Sequence, residues 1–117
     1  MESNPAASGD DRRELIRELN DTFRTTFAGG QVLLTPGVDG LPSDVRAMAI
    51  RKVATFDAFD ADNDPHHEHD FGSFDLWGRK LFFKIDYYDR NLEFGSPDPA
   101  DPACTTRVLT IMMAEEY

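Results

Sequence analysis

The run Thr105–Ala114, Thr-Thr-Arg-Val-Leu-Thr-Ile-Met-Met-Ala, does most to limit the folds open to this chain. It is rich in β-branched and aliphatic residues, has no proline or glycine, and reads as a strand lying centrally in a sheet. A central strand needs neighbours on both edges. The stretch from Phe71 through Lys84 to Asp89 supplies a hairpin. Phe74 and Leu76 lie on one side of its first strand, and Trp77-Gly78-Arg79 makes the turn. Leu81, Phe83, Ile85 and Tyr87 then line one face of the second strand. The opposite face, Phe82, Lys84, Asp86 and Tyr88, is only half polar. Such a face is compatible with cover by a helix, with a dimer surface or with a partner. Between hairpin and final strand, Asn91–Ala103 is broken by Pro97, Pro99 and Pro102 and reads as a loop that cannot pair.

Upstream, residues 1–9 are small and polar and read as a disordered lead to a single domain over 10–117. Leu15, Leu19, Phe23 and Phe27 recur every fourth residue with Ile16 beside them, the pattern of an amphipathic helix. Asp11 and Glu14 resemble a capping box, and Gly29-Gly30 ends the helix. Arg12, Arg13, Arg17 and Arg24 fall largely off the apolar stripe and read as a solvated face balanced by Glu14, Glu18 and Asp21. Gln31–Thr35 is a short β-prone run closed by the turn signals Pro36-Gly37 and Asp39-Gly40. A second helix starts at Ser43 as N-cap, with Val45, Met48 and Ala49 on its apolar side. From Lys52 the alternation of Ala54, Phe56 and Ala58 with Val53, Thr55 and Asp57 predicts a change to strand, reaching Phe59. The expectation is an α+β fold: a mainly antiparallel sheet of four to five strands with two helices, the N-terminal helix packed on one face. The 31–35 strand joins at an edge.

Charge narrows the function classes. The chain holds 22 acids and 12 bases; residues 55–117 carry 14 of the acids and 5 of the bases. A field of that sign repels nucleic acid and anionic membranes and attracts basic protein surfaces. One cysteine, Cys104, leaves no internal disulfide and fits a reducing compartment. No apolar run is long enough to span a bilayer and no apolar signal core is present, so the expected location is cytoplasmic.

The acidity concentrates in Asp57–Gly72, which carries six carboxylates, all three histidines and no lysine or arginine. Asp60, Asp62 and Asp64 alternate like the first ligands of an EF-hand loop, but Pro65 occupies the position that needs glycine, and Phe71 the position that needs a bidentate glutamate. His66, His67 and His69 are weak candidates as transition-metal ligands, because their spacing matches no helix-borne motif. No cofactor is expected. For acid–base chemistry, Glu68, His69 and Asp70 form a histidine–carboxylate group, with Asp86 as a further candidate from the next strand. A structural role competes with both: Asn63-Asp64-Pro65 as a turn, and His69 with Asp70 holding the loop against the hairpin. A third reading treats Asp57, Asp60, Asp62, Asp64, Asp75, Asp86 and Asp89 as a surface. Same-face strand residues recur at about 6.6–6.8 Å, near twice the ~3.4 Å rise per phosphate on a DNA strand. Such a surface could compete for a basic nucleic-acid-binding groove.

Several segments together resemble a known family. These are Leu19-Asn20-Asp21-x-Phe23-Arg24, Asn63-Asp64-Pro65 with Glu68-His69-Asp70-Phe71-Gly72, and Lys84-Ile85-Asp86-Tyr87-Tyr88-Asp89. Ser96-Pro97-Asp98-Pro99 and Arg107–Met112 through Glu116-Tyr117 complete the set. They are similar to a proteobacterial family of small proteins, domain of unknown function 3768, often found on plasmids and other mobile elements. The resemblance covers about residues 12–117 and brings no activity, cofactor or catalytic residue. His66-His67 stand where the family more usually has an aromatic residue and a glycine. That departure weakens the metal reading there and leaves Glu68, His69 and Asp70 as the better candidates. The expected function is a small acidic binding protein that takes a basic protein partner. It would act like a DNA mimic against a nucleic-acid-binding defence or replication factor. The alternative is a small enzyme or metal module centred on the Glu-His-Asp-Phe-Gly loop.

Overall fold

The computed structural model describes residues 9–117; the expected disordered lead lies outside the described residues, except for Gly9. Helix α1 spans Gly9–Thr26, followed by strand β1 (Gly30–Leu34), a single turn α2 (Pro36–Asp39) and helix α3 (Ser43–Thr55). Strands β2 (Phe71–Leu76) and β3 (Arg79–Tyr88) form the hairpin, and β4 (Thr106–Met113) closes the sheet. Short 3-10 turns lie over Pro102–Cys104 and Ala114–Glu116.

The sheet order is β1-β4-β3-β2. β4 is flanked on both sides, antiparallel to β3 and parallel to β1. The α+β class and the edge position of the 31–35 strand are as expected; the parallel direction of that edge strand is additional. The hairpin turn is the two-residue Trp77-Gly78, with Leu76 paired to Arg79 and φ of 53° and 75° at its two residues. Both values are left-handed, the geometry whose twist matches that of the flanking strands. Alternation along β3 and β4 sends Leu81, Phe83, Ile85, Leu109, Ile111 and Met113 to one face. There they are buried with Phe23 of α1 and with Val45, Ala49 and Val53 of α3. Burying this set supplies the main driving force for the fold, at roughly 25 cal/mol per Å² of apolar surface. Gly72 is required at its place in β2, because a Cβ there would overlap the rings of Phe83 and Phe56.

Two expectations are corrected. The strand expected over 52–59 does not form: α3 runs on to Thr55. Val53 continues the i, i+4 spacing of Val45 and Ala49, so helical continuation buries it completely. The C-terminus of α3 is also capped in trans, since Arg24 Nη1 donates to Val53 O and Phe56 O, both at 2.8 Å. Arg24 is therefore not on a solvated face but 4% exposed. The inward stripe of α1 is Ile16, Asn20, Phe23 and Arg24, while Leu15 is 47% exposed.

Candidate functional site

Residues 56–70 make no strand; they form an irregular strap across the end of α3 and against α1. Phe56 and Phe59 seat it apolarly, their rings edge-on to Phe83 with centroids at 5.3 and 6.5 Å. Beyond them a polar layer joins the strap to α1, β3 and β4.

Asn20, wholly buried, is the hub of the first half of that layer. Its Nδ2 donates to Glu68 O at 2.9 Å and to the Tyr87 hydroxyl at 2.8 Å, and its Oδ1 accepts from Arg107 Nε at 2.7 Å. The Tyr87 hydroxyl donates on to Glu68 Oε1 at 2.8 Å. Arg107 Nη2 donates to Pro99 O at 2.5 Å, and the guanidinium lies 5.2 Å from the centre of the Tyr87 ring. Burial pushes the Tyr87 phenol well above its ordinary range and draws the Arg107 guanidinium down.

Asp21 carries the second half. Its Oδ1 accepts from Arg24 Nη2 at 2.9 Å and lies 3.0 Å from His69 Nδ1. On the other side of the ring, His69 Nε2 stands 3.6 Å from Asp64 Oδ2. Asp64 Oδ1 accepts the backbone N–H of Glu68 and of His69, each at 3.0 Å. The His69 ring lies flat on Phe59, with centroids 3.8 Å apart and planes 2° from parallel, and Arg24 sits over Phe59. His69 holds this position with φ at +57°, a left-handed conformation tolerated at about 1 kcal/mol or more. Its backbone N–H, ring nitrogens and ring face are all engaged.

The structure thus brings Glu68, His69 and Asp70 together with residues the sequence reading did not single out as a site: Asn20, Asp21, Arg24, Tyr87 and Arg107. Asp70 is half-buried; burial, then the neighbouring Glu68 carboxylate, push its carboxyl above the usual aspartate range. Asp86 does not join this group. Strand alternation puts Tyr87 on the inner face and Asp86 on the outer, where it pairs with Lys84 at 2.9 Å. Among the seven surface acids, Asp57, Asp60 and Asp62 are exposed on the strap, and Asp75 is exposed on the outer side of β2. Asp89 accepts the N–H groups of Asn91 and Glu93 and shapes the turn after β3. Asp64 departs from the surface reading: at 2% exposed it is a buried anchor of the strap, because its oxygens satisfy two backbone donors. His66 and His67 are exposed. Among the described residues no three His, Cys, Asp or Glu side chains gather closely enough to hold a metal ion. The carboxylates beside His69 lie on opposite sides of its ring, so they do not converge on one point.

A family model described as protein of unknown function (DUF3768) matches residues 34–116, more than half of the chain. The chain belongs to that family. No curated protein and no solved structure matches it. Among the described residues no helix is long and apolar enough to cross a membrane.

Proposed function

We propose that the chain is a small acidic binding protein that takes a basic protein partner on the outer face of its sheet. One observation carries this reading: that face is left without a helical layer among the described residues. Leu33 on β1 is 50% exposed, and Phe71, Phe82 and Tyr88 are partly exposed on the same side. Among the described residues Tyr117 crosses over one part of it, its ring 5.6 Å from Phe82 and 6.1 Å from Phe71, and Leu92 borders the groove beside Leu33 and Tyr88. Interfaces take their affinity from aromatic and aliphatic anchors of this kind. The polarity of the partner follows from charge. No base lies within ion-pair distance of Asp57, Asp62 or Asp75 among the described residues, and the formal net charge is −10. Such a field speeds the approach of a basic surface and weakens with salt. The finer form of the proposal is a competitor of nucleic acid for a defence or replication protein. The mobile-element context implied by the resemblance supports it.

The test is capture of host proteins by the immobilised full chain at low and high salt, with Leu33→Arg and Asp57→Asn/Asp62→Asn variants alongside. The expected result is a basic protein retained at low salt, released by salt or by duplex DNA, and weakened by both variants. Retention of no basic protein, or retention indifferent to both variants, refutes the reading.

A second reading, an acid–base or metal module at the Glu68–Gly72 loop, draws on the left-handed His69 flanked by Asp21 and Asp64. With both ring nitrogens aimed at carboxylates, a substrate or ion would have to displace one of them. Calorimetric titration with zinc, manganese and calcium tests the metal form; the absence of saturable binding removes it.

A further inference from the structure

A cavity of about 550 Å³ opens between the last turn of α1, the Gly29-Gly30 lead into β1 and the start of β4. That is within the roughly 300–1,000 Å³ typical of small-molecule sites. Its lining runs against the character of the chain. In a protein with 22 acids, the described residues around this cavity include no aspartate or glutamate. Their only charges are Arg90 and Arg107, with Thr22, Thr105 and Thr106 as hydroxyl neighbours.

Arg107 is the unusual member. It is 3% exposed, yet its two hydrogen bonds go to neutral acceptors, Asn20 Oδ1 and Pro99 O. Among the described residues no carboxylate lies within ion-pair distance, and the third guanidinium nitrogen, Nη1, has no hydrogen-bond partner. Glu68 acts on it only from beyond Tyr87. A buried cation without an anion is the expensive way to place a charge, and Arg107 lines an open cavity. Among the described residues Arg90, exposed at the rim, makes a single long contact, Nη1 to Thr105 O at 3.4 Å. It is free to turn inward. The C-terminus of α1 opposes this with a partial charge of about half a unit, which two full guanidinium charges outweigh.

We propose that this cavity binds a small ligand through an oxyanion group, a carboxylate or a phosphate, with Arg107 as its anchor and Arg90 closing from the rim. Guanidinium suits either group, because its planar donors match paired oxygens. The site is separate from the outer sheet face, so it stands or falls independently of the partner proposed above.

The experiment is titration of the full chain with inorganic phosphate and, separately, with succinate. Ionic strength is held constant with sodium chloride, and binding is followed by calorimetry and by the Arg107 side-chain N–H resonance. Saturable binding of either anion with movement of that resonance is expected, and the anion that binds identifies the oxyanion preferred. Loss of one charge-assisted contact in Arg90→Ala weakens binding by about tenfold. Arg90→Glu should abolish it, while Lys80→Glu, the same charge change on an exposed residue of β3, should leave it intact. These variants do not touch the buried Arg107 network, so folding is not at stake. Absence of saturable binding by both anions, or equal losses in Arg90→Glu and Lys80→Glu, overturns the proposal.

Discussion

Replacing Asn20 with alanine tests whether the polar layer beneath the strap is an integral part of the fold. The side chain is wholly buried and makes three hydrogen bonds, one accepted from a guanidinium and two donated to neutral oxygens. Loss of a bond to a charged partner costs about 1.5–3 kcal/mol, and each neutral bond about 0.5–1.5 kcal/mol. Water entering the vacated space would offset part of this, leaving an expected loss of about 3–5 kcal/mol. Against the 5–15 kcal/mol typical of a domain, that is about a fifth or more of its stability, and a fall in Tm of about 12 °C or more. Urea denaturation followed by circular dichroism measures it, with an unchanged m-value confirming a comparable unfolding transition. The partner variant Tyr87→Phe removes only the hydroxyl that Asn20 and Glu68 share. The two changes should fall short of additivity by about 0.5 kcal/mol or more. A loss below about 1 kcal/mol for Asn20→Ala, or strict additivity with Tyr87→Phe, would show that the layer contributes little and that the strap is held by Phe56 and Phe59 alone.

Gly72→Ala should destabilise by about 1–3 kcal/mol, since its Cβ meets two core rings; a change below about 0.5 kcal/mol in chemical denaturation would mean that the rings yield freely. Arg24→Met strips α3 of its C-terminal cap and leaves Asp21 without its guanidinium. The two bonds from a charged donor to backbone carbonyls set an expected loss of about 3–5 kcal/mol, with faster amide exchange at Phe56, whose N–H closes the last turn onto Val53 O; unchanged exchange there would refute the capping role. Asp70 gives a pH signature. Its folded pKa is raised, so the folded state holds the proton more tightly, and stability falls as pH rises from the ordinary aspartate range through the raised value. Asp70→Asn should therefore be more stable than the wild type at pH 7, with the gain vanishing near pH 3.5; a gain constant across that range would remove burial of the charge as its cause.

The site was legible in part. The Glu68-His69-Asp70 cluster stands out in the sequence as the chain's sole concentration of histidine and carboxylate, and it does reach the polar layer. The residues that complete the layer are dispersed over α1, β3 and β4. Their signal lay in helix phase. Leu15, Leu19, Phe23 and Phe27 are spaced uniformly by four, which at 3.6 residues per turn drifts steadily around the helix. Ile16, Asn20, Phe23 and Phe27, spaced 4-3-4, stay on one side and bring Asn20 inward. An isolated polar residue within such a stripe marks a buried hydrogen-bond hub, because burial without partners would be prohibitive.

By itself the sequence determined the strands of residues 71–88 and 106–113, since period-two alternation and turn chemistry are local properties there; the same alternation misled over 52–59, where helix prevails to Thr55. It determined the α+β class for the same reason, and the central place of β4 and the acid excess through composition. Tertiary structure alone decided where α3 stops, because the carbonyls of Val53 and Phe56 are capped by an arginine about thirty residues earlier in the chain. It also decided which acids are surface: Asp64 and Asp62 are neighbours of one type in one loop, yet only Asp64 meets the backbone donors and the histidine that make burial tolerable. Asp86 and Tyr87 were parted by the pleat onto opposite faces, and only packing of α1 on one of them gave those faces different environments. Arg107 follows the same logic. Its place in the strand is written locally, but its burial beside an acid-free cavity depends on Asn20, Pro99 and Tyr87, three contacts that only the folded chain assembles.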